Sequence, residues 1–322
     1  MWKPLVPVLM LAVVVALAGP AGCSSPAQED TWTGVDRIVA VGDVHGDFDQ
    51  FVKTLRAAKV IDEKNNWIAG KTHLVQLGDV LDRGPDSRKV MDLLMKLEEE
   101  APKTGGMVHP LIGNHEAMVL LGDLSFVNPE EEKAFGGAKE YREAMSARGK
   151  YGKWIRSHNA VIKINDLVFV HAGITPAFAR MSLGGINKAV RDDLEKGNEH
   201  GIALDYSGPL WDRTIPIGDE EVVAKQLDEV LKAYGARRMV VGHTFSTRGI
   251  LVRAHGRLIR IDVGMFSGFG GPAACLVVEN GVFYEVRHPD TKQKLPLETP
   301  AGKPQASRPA TPGAAAAGRR AA

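Results

Sequence analysis

Apolar residues in the first third of this chain fall into runs of five or six that stop at a glycine. Arg37–Val41 stops at Gly42, residues 72–77 stop at Gly78, and residues 107–112 stop at Gly113. Short apolar runs with such boundaries predict buried strands. Between them, Phe48, Phe51, Val52 and Leu55, then Val90, Leu93, Leu94 and Leu97, recur at helical spacing. Strand, polar turn, helix, with the strand and turn repeated three times, is the grammar of an α/β fold with parallel strands. Residues 129–158 are polar and helical, carrying Phe135, Tyr141, Tyr151 and Trp154. They predict an insert that packs its aromatics on the body, in preference to a cap over a site. Val161–Ile164 and Leu167–Val170 flank a hairpin turn at Asn165-Asp166, and 219–235 predicts a helix. A strand at 239–241 ends at Gly242. Hairpin-like strands fill 249–286, with turns at His255-Gly256 and Asn280-Gly281, so the body becomes β-rich toward its end.

The two ends of the chain differ from this body. After Lys3, residues 5–18 are apolar but too few to span a bilayer, and small residues then precede Cys23. This predicts a signal peptide over 1–22, resembling a lipoprotein leader, with Cys23 as a candidate lipid anchor and 23–34 as a tether. One domain is expected over 35–290. Residues 291–322, rich in Ala and Pro, read as a disordered tail. The expected location is outside the cytoplasm, in the periplasm or cell envelope. With a net charge of +1, no global field favours nucleic acid. Membrane contact is expected only through Cys23. Cys275, in an apolar strand, reads as a buried free thiol. Oligomeric state leaves no signal in the sequence.

Polar motifs sit where the apolar runs stop: Gly-Asp-Val-His-Gly (42–46), Gly-Asp-Val-Leu-Asp-Arg-Gly (78–84), Gly-Asn-His-Glu (113–116), His-Ala-Gly (171–173) and Gly-His-Thr (242–244). In open α/β sheets ligands bind beyond the carboxyl ends of strands, so these motifs are placed to converge. Asp43, His45, Asp79, Asn114, His171 and His243 form a ligand set able to hold two adjacent divalent metals. Two metals roughly 3.5–4 Å apart acidify a bridging water and clamp phosphoryl oxygens, which phosphate-ester hydrolysis requires. Mixed nitrogen and oxygen ligation suits Mn, Fe or Zn, and also Co. Arg83 has a planar fork matched to phosphate oxygens. His115 can give a proton to a leaving oxygen, and Asp82 can hold that imidazole in its charged form.

These five motifs, in this order and with Asp-Arg-Gly in the second, resemble the phosphoprotein phosphatase branch of the calcineurin-like metallophosphoesterases, and within it the bacterial Shewanella-like protein phosphatases. The resemblance spans about 36–275. It implies an α/β fold, a metallophosphoesterase-type β-sandwich flanked by helices, with the active site at the carboxyl ends of strands. It implies that Asp43 and His45 bind one metal, that Asp79 bridges, and that Asn114, His171 and His243 bind the other. His115 is then the general acid, supported by Asp82, with in-line attack by a hydroxide between the metals. Arg83 binds phosphate, as does Asn114, and Arg213 in Leu-Trp-Asp-Arg is the candidate second arginine. The implied partner is a phosphorylated protein or peptide, with phosphoserine/threonine or phosphotyrosine. His171-Ala-Gly departs from the His-Gly-Gly of eukaryotic serine/threonine phosphatases. Glu116 stands where dinucleoside polyphosphate hydrolases tend to carry Asp. Two alternatives are a nucleotide or dinucleoside polyphosphate hydrolase and a catalytically silent envelope binding protein.

The remaining candidates carry bland expectations. His73, His109, His158, His200, His255 and His288 are expected at the surface or at strand edges. Residues 98–100 read as a solvated helix end and 268–271 as a turn. Asp262 reads as a turn former, with support of a metal-ligand histidine as its alternative role.

Overall fold

The computed structural model describes residues 29–297; the expected signal peptide and Cys23, within 1–28, and residues 298–322 lie outside the described residues. The chain runs β1 (Thr31–Trp32), β2 (Arg37–Val41), α1 (Phe48–Ala57), β3 (His73–Gln76), α2 (Ser87–Glu100), β4 (Met107–Pro110) and α3 (Asn114–Leu120). Three short helices follow: α4 (Pro129–Phe135), α5 (Ala138–Met145) and α6 (Lys150–Arg156). Then come β5 (Val161–Ile164), β6 (Leu167–Val170), α7 (Leu183–Lys196), α8 (Thr214–Ile217), α9 (Glu220–Ala233) and β7 (Arg238–Val241). The last strands are β8 (Leu251–Arg253), β9 (Leu258–Arg260), β10 (Ala274–Glu279), β11 (Val282–Arg287) and β12 (Thr291–Lys294).

The strands form two mixed six-stranded sheets, ordered β12-β11-β10-β2-β3-β4 and β1-β5-β6-β7-β9-β8. In the first, β2, β3 and β4 are parallel. In the second, β6, β7 and β9 are parallel. Side-chain alternation explains how one sheet is buried on both faces. Ile162, Leu167, Phe169, Val240 and Ile259 join the core shared with the first sheet. Their neighbours Val161, Val168, Val170, Met239, Val241 and Leu258 point the other way, into a second core under α9 and the first turns of α7. At about 25 cal/mol per Å² of apolar surface removed from water, these two cores are the main source of stability. The result matches the expected α/β class, with two sheets flanked by helices.

Strand boundaries follow the sequence closely. β2, β5 and β6 lie where the apolar runs place them, and Asn280-Gly281 forms the β10–β11 turn with φ of 49° and 77°. The insert packs on the body as expected. Phe135 meets Tyr141 and Tyr151 edge to face, with ring centroids 5.1 and 5.3 Å apart. The Trp154 indole donates to Glu98 at 2.6 Å.

Several expectations are corrected. Residues 31–32, predicted as tether, pair with β5, and residues 291–294, predicted as tail, pair with β11. Both are polar or short edge strands, which burial patterning does not mark. Leu295 and Leu297 also pack into the core. α7 exceeds the patterning: Gly184 and Gly185 in its first turn mask the helical spacing of Leu183, Ile186, Val190 and Leu194. His73 and His109 are buried and joined at 3.0 Å, with Trp32 packed on His109. His158 is buried beside Glu98. Glu98 and Glu100 are bonded to Trp154 and to the Trp67 N–H, so this helix end is not merely solvated. Cys275 is a buried free thiol whose pKa burial pushes up to about 12. Among the described residues, no helix is long and apolar enough to cross a membrane.

Candidate active site

All the predicted site residues but Arg213, which precedes α8, follow the carboxyl end of a parallel strand. Asp43 and His45 follow β2, Asp79, Asp82 and Arg83 follow β3, and Asn114 and His115 follow β4 at the start of α3. From the other sheet, His171 follows β6 and His243 follows β7. Asp262 follows β9 and joins them. The turns are tight enough to force left-handed backbone at five non-glycine positions: His45, Asp79, Asp82, Arg83 and His243, with φ between 47° and 70°. Such conformations cost about 1–3 kcal/mol each and persist only where the surroundings enforce them.

Glu116 is the main enforcer. Its Oε2 accepts the N–H of Asp79 at 2.7 Å and of Gly113 at 2.8 Å. Its Oε1 accepts the N–H of Val80 at 2.8 Å and of Leu81 at 3.1 Å. One buried carboxylate therefore ties the second motif to the third. The first motif is tied in by the Val44 and His45 N–H groups, which donate to Asp79 O at 3.0 and 2.9 Å. Gly242 N–H donates to His171 O at 2.7 Å and links the last two motifs. A Cβ at Gly113 would collide with the Asp79 carboxylate, which explains that glycine.

The imidazoles converge on Asp79. His45 Nε2 lies 3.7 Å and His115 Nε2 3.9 Å from Asp79 Oδ2; His171 Nε2 lies 3.4 Å from Oδ1. His171 Nε2 is also 2.9 Å from Asn114 Oδ1. Burial alone would push Asp79 up, but His171, His115 and His45 hold it well below the usual carboxylate range. Burial pushes His45 down to about 4 and lowers His243 further. His115 moves up against its burial, because Asp79 and Asp82 face it. Its Nδ1 lies 2.5 Å from Asp82 Oδ2, which leaves Nε2 toward the cleft and 3.4 Å from Arg83 Nη2.

The residues fit divalent metals. Leu81 O and Leu77 O sit 3.0 and 2.7 Å from Nδ1 of His45 and His171. A carbonyl only accepts, so both rings carry a proton on Nδ1, which leaves Nε2 as the atom that would face a metal. His243 Nε2 is buried without a protein partner. Two donor clusters result, His45/Asp79/His115 and Asp79/His171/His243, sharing Asp79. Asp43 enters neither cluster. Its Oδ1 accepts the His243 N–H at 3.0 Å. Burial, then Asp262 and Asp79, push Asp43 well up. Crowded carboxylates of this kind are relieved by a cation.

The substrate side is a cleft of about 630 Å³. Arg83 sits 5.2 Å from the ring centroids of both Phe126 and Phe269. Phe269 in turn stacks parallel on Phe245 at 4.7 Å. Arg213 also lines the cleft, its Nη1 donating to His243 O at 3.0 Å and Thr244 Oγ1 at 3.1 Å. Asp212 places it by accepting from the Thr214 and Ile215 N–H groups. Tyr206 (79 % exposed), Phe126 (44 %) and Phe245 (48 %) stand open at the mouth.

All ten predicted site residues thus meet in one place. Sequence reasoning missed the aromatic rim, since its members come from four distant loops. The loop at 268–271 is indeed a turn, but it also delivers Phe269. Asp262 is the turn former expected, its Oδ1 accepting the Gly264 N–H at 2.9 Å, but its carboxylate faces Asp43 and not the histidine weighed as its alternative partner. An acidic residue between an apolar strand and a glycine was the available signal.

Fold and site together define a metallophosphoesterase. The calcineurin-like phosphoesterase family model matches residues 36–246, and the chain belongs to that family. It is 32 % identical over 257 residues to Shewanella-like protein phosphatase 1 of Plasmodium berghei, covering 75 % of this chain and 70 % of that protein. It is 30 % identical to Shewanella-like protein phosphatase 2 of Arabidopsis thaliana, covering 72 % of each. Among solved structures, a cold-active protein-tyrosine phosphatase of a psychrophilic Shewanella species superposes with a TM-score of 0.75. That match is 32 % identical and covers 83 % of this chain and 82 % of the other. Within its family, then, this enzyme is related to the Shewanella-like protein phosphatases.

Proposed function

We propose that this enzyme hydrolyses phosphomonoesters on proteins or peptides and depends on divalent metals to do so. Asp43, His45 and Asp79 would hold one metal, and Asp79, Asn114, His171 and His243 a second. When bound, the metals supply the Lewis acidity and positive charge that phosphoryl transfer to water demands. Arg83 and Arg213 flank the position where phosphate oxygens would lie and orient them. His115 delivers its proton from Nε2 to the leaving oxygen, while Asp82 holds the Nδ1–H. The observation that carries this reading is the shared Asp79, with His45 on one side and His171 and His243 on the other, and with Arg83 and His115 lining the same cleft. The exposed aromatic rim favours an aryl ester, which supports phosphotyrosine as a substrate. A relative's name as a protein-tyrosine phosphatase supports this.

The same rim can stack a nucleobase, which keeps a nucleotide or dinucleoside polyphosphate in view. One panel separates the readings: phosphotyrosine, phosphoserine and phosphothreonine peptides, an aryl phosphate and a dinucleoside tetraphosphate, each with Mn, Fe or Zn and with chelator. Chelator-sensitive turnover of phosphopeptides is expected. Turnover confined to the polyphosphate refutes the monoesterase reading, and turnover untouched by chelation refutes the metal. His115→Ala should lower kcat far more than KM. We further propose export with a lipid anchor at Cys23; a Cys23→Ala chain that stays in the membrane fraction excludes the anchor.

A further inference from the structure

Three buried oxygens behind the site have no protein hydrogen-bond partner: Asp82 Oδ1, Glu131 Oε1 and the Tyr141 hydroxyl. All three residues are 0 % exposed. Buried polar atoms in native proteins are nearly always paired, directly or through an ordered water. Glu131 comes from α4 and Tyr141 from α5, so the insert aims two polar groups inward beneath the second motif.

Their other bonds fix the hydrogens. Asp82 uses Oδ2 on His115, leaving Oδ1. Glu131 uses Oε2 to accept from Ser87 Oγ at 2.7 Å, leaving Oε1. Burial first, with Asp82 and Asp86 adding to it, pushes Glu131 up to about 8. Glu131 is therefore mostly protonated at neutral pH. Since Oε2 accepts, the proton belongs on Oε1, the unpartnered oxygen. Asp82 Oδ1 can only accept. Tyr141, also pushed up by burial and then by Glu131 and Asp82, keeps its proton and offers a second donor. Two buried donors and one buried acceptor thus lie within electrostatic reach of one another, each without a partner.

We propose that Glu131, assisted by Tyr141, is a positioning residue for the general acid, donating to Asp82 Oδ1 across one buried water. The donation fixes the carboxylate that aligns His115. This rests on the role of His115 given above, and it assigns the insert a part in catalysis beyond packing. The rival is that Glu131 only caps α2, through Ser87 Oγ and the Arg88 N–H.

The two readings separate on leaving-group dependence. The full chain with metal is assayed on phenyl phosphate, whose leaving oxygen needs a proton, and on 2,4-dinitrophenyl phosphate, whose leaving oxygen does not. Glu131→Met should lower kcat on phenyl phosphate about tenfold, part of what general acid catalysis supplies. On the dinitrophenyl ester it should stay within about twofold, with KM unchanged on both. Glu131→Gln, whose amide N–H can take the place of the proton on Oε1, should restore phenyl phosphate turnover to within about threefold. Tyr141→Phe should show the Met pattern more weakly. Equal losses on both esters, or a glutamine variant as impaired as the methionine variant, overturn the proposal in favour of capping. Should Glu131→Met fail to fold, Tyr141→Phe decides, and wild-type leaving-group dependence there overturns it. Absence of all aryl phosphate turnover in the wild type, or unaltered leaving-group dependence in His115→Ala, instead removes the underlying reading and this proposal with it.

Discussion

Glu116→Gln tests whether one carboxylate organises the metal-site loops. The carboxylate accepts four backbone N–H groups, two on each oxygen, at 2.7–3.1 Å, in a residue that is 3 % exposed. Glutamine has the same shape but only one acceptor oxygen. In either orientation its NH₂ faces two N–H donors. Two buried donors lose their acceptor, at about 1–3 kcal/mol each, so the expected cost is about 4 kcal/mol. For a domain of this size each kcal/mol moves Tm by about 2–4 °C, which predicts a drop on the order of 8–16 °C. The measurement is urea unfolding with calorimetry in chelator, so that metal linkage does not add to the difference. Because Asp79 is held at φ 55° by one of these bonds, metal affinity should also fall, by about 10–100-fold in titration calorimetry. Chelated Glu116→Gln within about 0.5 kcal/mol of wild type would refute the reasoning, because that is the range of an inert surface change.

Three further outcomes follow from the geometry. Burial first, and the facing His73, push His109 down to about 3, against about 6.5 unfolded. The unfolded chain therefore takes up the extra proton first, and stability held above pH 6.5 is lost as pH falls from 6.5 toward 3. His109→Gln should flatten the urea midpoint between pH 6.5 and 4.5, and an unchanged slope removes His109 as the cause. In Gly242→Ala the new Cβ would lie 2.5 Å from Asp43 Oδ1, so metal affinity by titration should fall at least about tenfold, while wild-type affinity counts against Asp43 as a ligand. Arg83→Lys keeps the charge but loses the planar fork between Phe126 and Phe269. Its inhibition constant for inorganic phosphate should rise about tenfold, and an unaltered constant would show that Arg83 acts only as a point charge.

Much of the site was legible because its residues are local in sequence: each ligand sits within a few residues of an apolar run and a glycine. His45, two residues after Asp43, needs only a turn to share its cleft. What escaped the sequence has a common cause, dependence on distant partners. Glu116 is a family marker in the sequence, and only folding reveals that it grips a loop 35–37 residues earlier. Phe126, Tyr206, Phe245 and Phe269 look like scattered aromatics until four loops meet. His73 and His109 look like strand-edge residues until Trp32, from a segment predicted as tether, covers them. Edge strands β1 and β12 are held by backbone pairing, which side-chain patterning does not report.

The topology explains why both histidine clusters share Asp79. β3 lies between β2 and β4 in its sheet, so its end is flanked by the first motif on one side and the third on the other. The second sheet brings β6 against this point: His171 Nδ1 donates to Leu77 O at the end of β3. An acidic residue at any other strand end would reach one histidine cluster. At the end of β3 it reaches both, provided the backbone turns left-handed to aim it. The strained φ at Asp79 is therefore a consequence of its central position, and the four N–H bonds of Glu116 are the compensation the fold supplies beside it. Asp262, at the end of β9 beyond β7, occupies the flank of the second sheet and meets Asp43 from that side. Its place makes it a supporting carboxylate, not a bridging one.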